Sequence, residues 1–192
     1  AGMLALSGVV SESMVRDTGW IMMDIGKRIE RGQWLTALLR ATLTTARNPE
    51  AEQTITESTL VACESLVTYR RRNPGKVSGA GVAELVLFDA ENPRSLVYQL
   101  DRLRTDLRAL PGASGSSRPE RMVDEVATRL RRIEPAELEE VTADGRREEL
   151  AGLLRGMNID LRELSGVITA THLSLPGGMQ PLWGPDARRV MP

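Results

Sequence analysis

Five charged residues fall within one otherwise apolar stretch of this sequence: Asp24, Lys27, Arg28, Glu30 and Arg31. The stretch from 19 to 34 reads GWIMMDIGKRIERGQW. In an α-helix, residues three or four positions apart share a face, so these charges fall among apolar side chains instead of forming a polar face. The pattern predicts a helix that is apolar nearly all round and is buried together with several of its charges.

The chemistry of such a cluster depends on how its charges are paired. A buried charge costs several kcal/mol unless it is paired and hydrogen-bonded. Asp24 can pair with Arg28 four positions on, and Lys27 can reach Glu30. Glu30 and Arg31 then need partners on other helices, and the candidates on the predicted helix 93–110 are Asp101, Arg102, Arg104 and Asp106.

Two interpretations of the cluster remain open. One is an ion-pair network that fixes the register of packed helices, which the sequence favours because such networks need no ligand. The other is an anion-binding or catalytic site, in which Arg28 and Arg31 bind a carboxylate or phosphate and Glu30 acts as acid or base. The second interpretation predicts an open cleft that reaches Glu30. Asp24 and Glu30 lie about 120° apart on a helix, so these two carboxylates do not share a site.

Few other residues are candidates for a catalytic, metal-binding or phosphate-binding site. The sequence has one cysteine, Cys63, and one histidine, His172, so it contains neither an intrachain disulfide nor a Cys/His zinc cluster. Cys63 lies on an apolar helical stripe and is predicted to be core, whereas His172 is predicted to be a surface or cap residue. The segment SGAG at 78–81 lacks the lysine and strand of a phosphate-binding loop. We expect no cofactor and no metal.

Composition narrows the class of partner. The net charge of −1 and the 3% aromatic content give no support for nucleic-acid or anionic-membrane binding. The longest uncharged run, 164–185, is interrupted by prolines and glycines and does not read as a membrane span. A single cysteine fits a reducing compartment, so we expect a cytoplasmic protein.

Helical periodicity extends over most of the chain and predicts an all-α fold. The clearest helix is 93–110, whose leucines recur every three or four residues, with Asn92 as N-cap and Pro93 in the first turn. We predict an antiparallel bundle of about seven helices over 1–174, followed by an extended or disordered tail over 175–192. The predicted helices span about 3–13, 17–46, 50–72, 81–90, 93–110, 120–133 and 144–171.

Two segments resemble the signatures of one known family. The first runs from Glu12 to Arg31 and contains the adjacent Glu30 and Arg31, and the second runs from Asp89 through Asn92-Pro93-Arg94-Ser95 to Pro111. Their order and spacing are similar to those of the bacterial alpha-E domain family, in its C-terminal half. Lys27 stands where the family usually has arginine, and Gly32 where it usually has alanine.

The resemblance implies a helical domain of unknown function that is associated with, or fused to, circularly permuted ATP-grasp proteins. It therefore implies a protein partner, an ATP-grasp amide or peptide ligase in cis or in trans, and a non-catalytic accessory or scaffold role. The alternatives are the anion-binding component described above and a self-assembling module in which a second copy covers an apolar face. The candidate binding or structural residues are Trp20, Asp24, Lys27, Arg28, Glu30, Arg31, Asp89, Asn92, Pro93, Arg94 and Ser95.

Overall fold

Seven α-helices account for most of Gly8 and 12–173, the residues that the computed structural model describes. The helices are α1 Thr18–Leu43, α2 Pro49–Ala62, α3 Leu66–Arg72, α4 Gly79–Ala83, α5 Leu96–Ala109, α6 Arg118–Arg131 and α7 Glu148–Ile168. Wider π-helical turns extend α4 over Glu84–Phe88 and α7 over Thr169–Leu173, and Pro135–Glu139 is a 3₁₀ turn. The described residues contain no strand, only a single bridge between Thr45 and Arg146. The predicted all-α bundle is confirmed, while most of the predicted helix 3–13 and the predicted tail 175–192 lie outside the described residues.

The core is a bundle of the long helices. Helix α1 packs most extensively against α7 and α5, and α6 packs against both of those helices. The leucine repeats explain the arrangement, because each places one apolar stripe toward the axis of the bundle. The repeat leucines that are fully buried there are Leu96, Leu100, Leu103, Leu107, Leu154, Leu161 and Leu164. The predicted seam of α5 is therefore confirmed, and α7 buries a leucine stripe in the same way.

Helix α1 has an outward face, contrary to the prediction that it is buried all round. Trp34 is 51% exposed, and Met23 and Glu30 are exposed with it. The small residues Ala37 and Ala41 continue the same stripe and are exposed too. The neighbours of α1 are α7, α5 and α2, and they cover the opposite side, where Trp20, Ile25 and Leu35 are buried.

The predicted helix 50–72 is broken in two, and the break matters for the site described below. Helix α2 ends at Ala62 and α3 begins at Leu66. Glu64 turns the chain with φ of +52°, and the N–H of Ser65 reaches back to the carbonyl of Leu60 at 2.9 Å. This is the usual way to close a helix C-terminus, but glycine is the residue that favours such a φ. No glycine marks the turn, and the helical spacing of apolar residues continues across it. The sequence therefore predicts one unbroken helix over 50–72.

Helix α5 begins three residues later than predicted, at Leu96. Ser95 is its N-cap and accepts from the N–H of Tyr98 at 3.2 Å. Asn92 does not cap α5, because its side chain closes the preceding turn: its amide donates to the carbonyl of Leu85 at 3.0 Å and its Oδ1 accepts from the N–H of Arg94 at 3.1 Å. Arg94 therefore lies in a turn ahead of the helix. Helix α7 also begins later than predicted, at Glu148 instead of position 144.

Candidate functional site

Asp24 is buried on the inner face of α1 and is paired twice. The Nε of Arg28 donates to its Oδ2 at 2.9 Å, and the Nη2 of Arg28 donates to its Oδ1 at 3.2 Å. Lys27 forms a second ion pair with the same carboxylate, not the predicted contact with Glu30. Burial opposes ionisation of Asp24, but the hydrogen bonds from Lys27 and Arg28 outweigh it and lower its pKa to about 2.

A second buried carboxyl group, that of Asp106 on α5, lies against Asp24. Burial, followed by the contact with Asp24, raises the pKa of Asp106 to about 6. Its Oδ2 has no hydrogen-bond partner among the described residues. Two carboxylates in contact cannot both be ionised at low cost, so the pair holds one proton when Asp106 is neutral, and that proton supplies the hydrogen bond between the two carboxyl groups.

Arg28 extends this network from α1 to the start of α5. Its Nη1 donates to the Oε1 of Gln99 at 3.2 Å, and the Nε2 of Gln99 donates to the carbonyl of Pro93 at 2.6 Å. The guanidinium also lies 5.9 Å from the centroid of the Tyr98 ring. For Asp24, Lys27 and Arg28, the structure confirms the interpretation as an ion-pair network.

Glu30 departs from both predictions made for it. Its carboxylate is exposed, and it makes no hydrogen bond or ion pair with any residue that the structure describes. The prediction of a buried Glu30 with a partner on another helix is wrong, because the side chain projects from the outward face of α1. Asp101 pairs instead with Arg104 and Arg131.

Arg31 lies at a cavity instead of in an ion pair. It is half-buried and makes no hydrogen bond or ion pair with any described residue, so its predicted partner on 93–110 is also absent there. The cavity has a volume of about 230 Å³ and lies between α1, the α2–α3 turn and the start of α5. We call it the Arg31 pocket, and its walls are Arg31, Trp34, Leu35, Ala62, Cys63, Glu64, Arg94 and Gln99.

The Arg31 pocket is electrostatically positive. Arg94 brings a second guanidinium to the wall, where it pairs with the carboxylate of Glu64. Burial, followed by the like charges of Arg94 and Arg28, lowers the pKa of Arg31 below its ordinary value, and Asp24 and Glu64 only partly compensate. Asp24 is already bound by Lys27 and Arg28, and Glu64 by Arg94, so within the described part of the chain neither carboxylate is left to pair with Arg31.

Cys63 forms an apolar part of the wall. It is buried, as predicted for a core residue, and burial raises the pKa of its thiol to about 11 although Arg94 opposes the shift. A thiol with so high a pKa is protonated at neutral pH and is a poor nucleophile. The side chain therefore shapes the pocket without offering covalent chemistry.

The second signature fixes the turn that carries Arg94. Asp89 pairs with Arg72 of α3, and its carbonyl accepts from the hydroxyl of Ser95 at 2.5 Å. These contacts join the hydrogen bonds of Asn92 described above and hold the turn against α3 and α5. The side chain of Arg94 reaches the α2–α3 turn from this rigid support.

The structure brings only part of the predicted set together. Arg31 and Arg94 share the pocket, Arg28 adjoins it through Gln99, and Trp20 takes no part: it lies in the first turn of α1 against Arg16. Of the eight wall residues, only Arg31 and Arg94 were among the sequence candidates, and the six that were missed are Trp34, Leu35, Ala62, Cys63, Glu64 and Gln99. Trp34 was assigned to a buried face, and Glu64 gave no signal. Gln99 did give one, since it is a polar residue three positions after Leu96 on the buried side of α5.

Other parts of the described chain offer less. A larger open groove of about 720 Å³ runs past Glu52 and Arg147, but these two side chains pair with each other at 2.6 Å. Among the described residues, no three His, Cys, Asp or Glu side chains are placed to hold a metal ion. No described helix is long and apolar enough to cross a membrane. His172 is exposed, as predicted.

Comparison with known proteins identifies the family. The chain is 73% identical over all of its 192 residues to uncharacterized proteins of Mycobacterium bovis and of two strains of Mycobacterium tuberculosis, and it spans 22% of the length of these relatives. No solved structure matches it. Residues 1–173 match the model of Alpha-E, described as a predicted alpha-helical domain with a conserved ER motif. The chain therefore belongs to the Alpha-E family, and the pair Glu30-Arg31, with its outward carboxylate and its pocket-facing guanidinium, stands where the resemblance places that motif.

Proposed function

We propose that this domain is a non-catalytic ligand-binding module of an ATP-grasp amide-ligase system, and that it holds an anionic group in the Arg31 pocket. The single observation that carries the proposal is the state of Arg31. Its guanidinium is half-buried, lies near two other guanidiniums, and lacks a carboxylate partner among the described residues. An uncompensated charge removed from water is costly, and a bound anion offsets that cost.

The residue type suits this role. A guanidinium presents a planar fork of donors that matches a carboxylate or phosphate, and two of them can grip one anion from two directions. Arg94 is held by the turn of the second signature and Arg31 by α1, so both donors are carried by well-supported backbone. Preorganised donors of this kind lower the ordering cost of binding.

The walls of the pocket support binding more than catalysis. Glu30, the acid or base of the catalytic alternative, is not a wall residue and is exposed on the outward face. The thiol of Cys63 has a raised pKa, and Glu64 is occupied by Arg94. The ATP-grasp setting comes from the family resemblance, and the much greater length of the relatives supports a module that acts beside further segments.

Titration calorimetry with sodium acetate and with sodium phosphate tests the proposal. We expect wild-type protein to bind at least one of these anions, and Arg31→Gln to weaken that binding at least tenfold. Arg40→Gln is the matched control: it removes an exposed arginine of the same helix that has no ion pair within the described chain, and binding should change less than twofold. Equal losses in both variants, or no binding of either anion to wild type, would overturn the proposal.

A second candidate role, docking onto the ATP-grasp ligase, is favoured by the outward face of α1. There Trp34 is 51% exposed and Met23 is 40% exposed, beside the small side chains of Ala37 and Ala41. These residues share one face of the helix, and a contiguous apolar stripe that contains a tryptophan suits a protein interaction surface.

Alkylation of an introduced thiol tests the docking role. We expect Trp34→Cys to react at least tenfold more slowly once the purified ligase is added, while Ile159→Cys, an exposed position on α7, keeps its rate. The buried Cys63 thiol supplies the blank. Unchanged rates for Trp34→Cys would exclude docking through this face. Slower labelling that follows the concentration of the domain alone would instead assign the face to a second copy.

A further inference from the structure

We infer that the ligand of the Arg31 pocket is a carboxylate joined to a small apolar group, and that Glu64 is a built-in competitor for its place on Arg94. The inference rests on the proposed function and names the ligand class and an affinity-setting residue of the same site. It is carried by the backbone of Glu64, by its ion pair and by the walls of the cavity.

Glu64 occupies a position that a glycine would fill more easily. Its φ of +52° lies in the left-handed region, which is unfavourable for an L-residue with a Cβ. The surrounding hydrogen bonds of the turn are made by backbone groups, so the turn itself does not require this side chain. What the side chain adds is a carboxylate placed against Arg94 at the wall of the pocket.

The ion pair of Glu64 shows which anion the site accommodates. A carboxylate already complements Arg94, and the guanidinium of Arg31, at the same pocket, has no carboxylate partner among the described residues. A ligand carboxylate can bind Arg31 and take the place of Glu64, whose side chain is 58% exposed and can turn into water. A phosphate dianion is attracted more strongly by the two guanidiniums as well as repelled more strongly by Glu64. The choice of a carboxylate therefore rests on the carboxylate that the protein itself places on Arg94.

The remaining walls favour an apolar substituent of modest size. Leu35, Ala62 and Cys63 supply the apolar surface, and the ring of Trp34 borders the opening. The volume of about 230 Å³ is below the roughly 300–1,000 Å³ of pockets for drug-sized ligands. It suits one amino-acid-sized group, either a free acid or the C-terminal residue of a peptide.

Calorimetry with a matched set of probes tests the ligand class. We expect N-acetyl-leucine to bind at least fivefold more tightly than N-acetylglycine, which lacks the apolar group, and at least tenfold more tightly than N-acetyl-leucinamide, which lacks the carboxylate. The peptide Ala-Ala-Leu, with leucine as its C-terminal residue, distinguishes a site for peptide C-termini, which binds it as well as N-acetyl-leucine, from a site for free acids, which does not. Phosphate binding as tight as that of N-acetyl-leucine would overturn the assignment to carboxylates.

Replacing Glu64 tests the competition. Glu64→Gln keeps the size of the side chain and removes its charge, and we expect it to tighten N-acetyl-leucine binding about fivefold to tenfold. Glu57→Gln, which removes a carboxylate of α2 that is not a wall residue, should leave affinity unchanged. Arg31-dependent binding that Glu64→Gln does not tighten would overturn the competitor role alone. If wild type binds no anion at all, the proposed function falls with it.

Discussion

Asp24 and Arg31 are charged residues seven positions apart on the same helix, but they differ in burial and in how their charges are paired. Asp24 is fully buried and has two cations of its own helix within pairing distance. Arg31 is half-buried, and its nearest charges include two further arginines. Asp24 is thus balanced by cations of its own helix, whereas Arg31 has no carboxylate partner among the described residues. The comparison separates a charge that stabilises the fold from a charge for which we propose a ligand.

The largest expected effect is the loss of stability when Arg28, one of the two partners of Asp24, is removed. Arg28→Met leaves the Asp24 carboxylate buried with Lys27 as its remaining partner, and removing one member of a buried pair costs about 3 kcal/mol of unfolding free energy. Arg31→Met removes a guanidinium that has no partner among the described residues, and we expect a loss below about 1 kcal/mol. Urea denaturation of both variants gives the two values. Equal losses would show that Arg31 belongs to the structural network.

The fold of this domain was largely readable from its sequence. The leucines of α5 and α7 recur at helical spacing and are buried as expected, because an apolar stripe has few other places to go in a bundle. The prediction failed where one side chain was chemically suited to two different hydrogen-bonding roles. Asn92 had the chemistry of an N-cap, but it closes the turn before α5 and leaves the cap to Ser95.

The candidate site was only half predictable. Arg28 and Arg31 stood out because charges in an apolar stretch need an explanation, and the structure places Arg28 in the ion-pair network and Arg31 at the wall of the pocket. Which face each side chain took was set by the neighbours of α1, and the sequence of α1 alone does not contain that information. Hence Glu30 was misplaced. The break at Glu64 was missed because the left-handed turn is made without glycine and is held by backbone hydrogen bonds.

The next prediction concerns the pH dependence of stability that arises from the proton shared by Asp24 and Asp106. The pKa of Asp106, about 6, lies above its ordinary value near 3.8. Between about pH 4 and pH 6 the folded protein therefore keeps a proton that the unfolded chain has released, and the unfolding free energy falls as the pH rises, by about 2 kcal/mol. Asp24, whose pKa is lowered, acts with the opposite sign and only below about pH 4.

Asp106→Asn isolates this contribution, because an amide resembles the neutral acid and does not titrate. The charged groups around this carboxyl, Asp24, Arg28 and Arg102, are the same in both proteins. The variant should gain about 2 kcal/mol relative to wild type between pH 4 and pH 7 in urea titrations at fixed temperature. A difference that does not change with pH would mean that the two carboxyl groups do not share a proton.

The smallest expected effect concerns the strained turn at the pocket. Glu64→Gly and Glu64→Ala both remove the ion pair with Arg94, which is partly exposed and contributes little. The two variants differ in backbone preference, since only glycine adopts a φ of +52° at little cost. We expect Glu64→Gly to be about 1 kcal/mol more stable than Glu64→Ala in thermal denaturation. If Glu64→Ala is as stable as Glu64→Gly, the backbone at position 64 is not strained. The left-handed turn would then be no evidence that the Glu64 carboxylate has a role at the pocket.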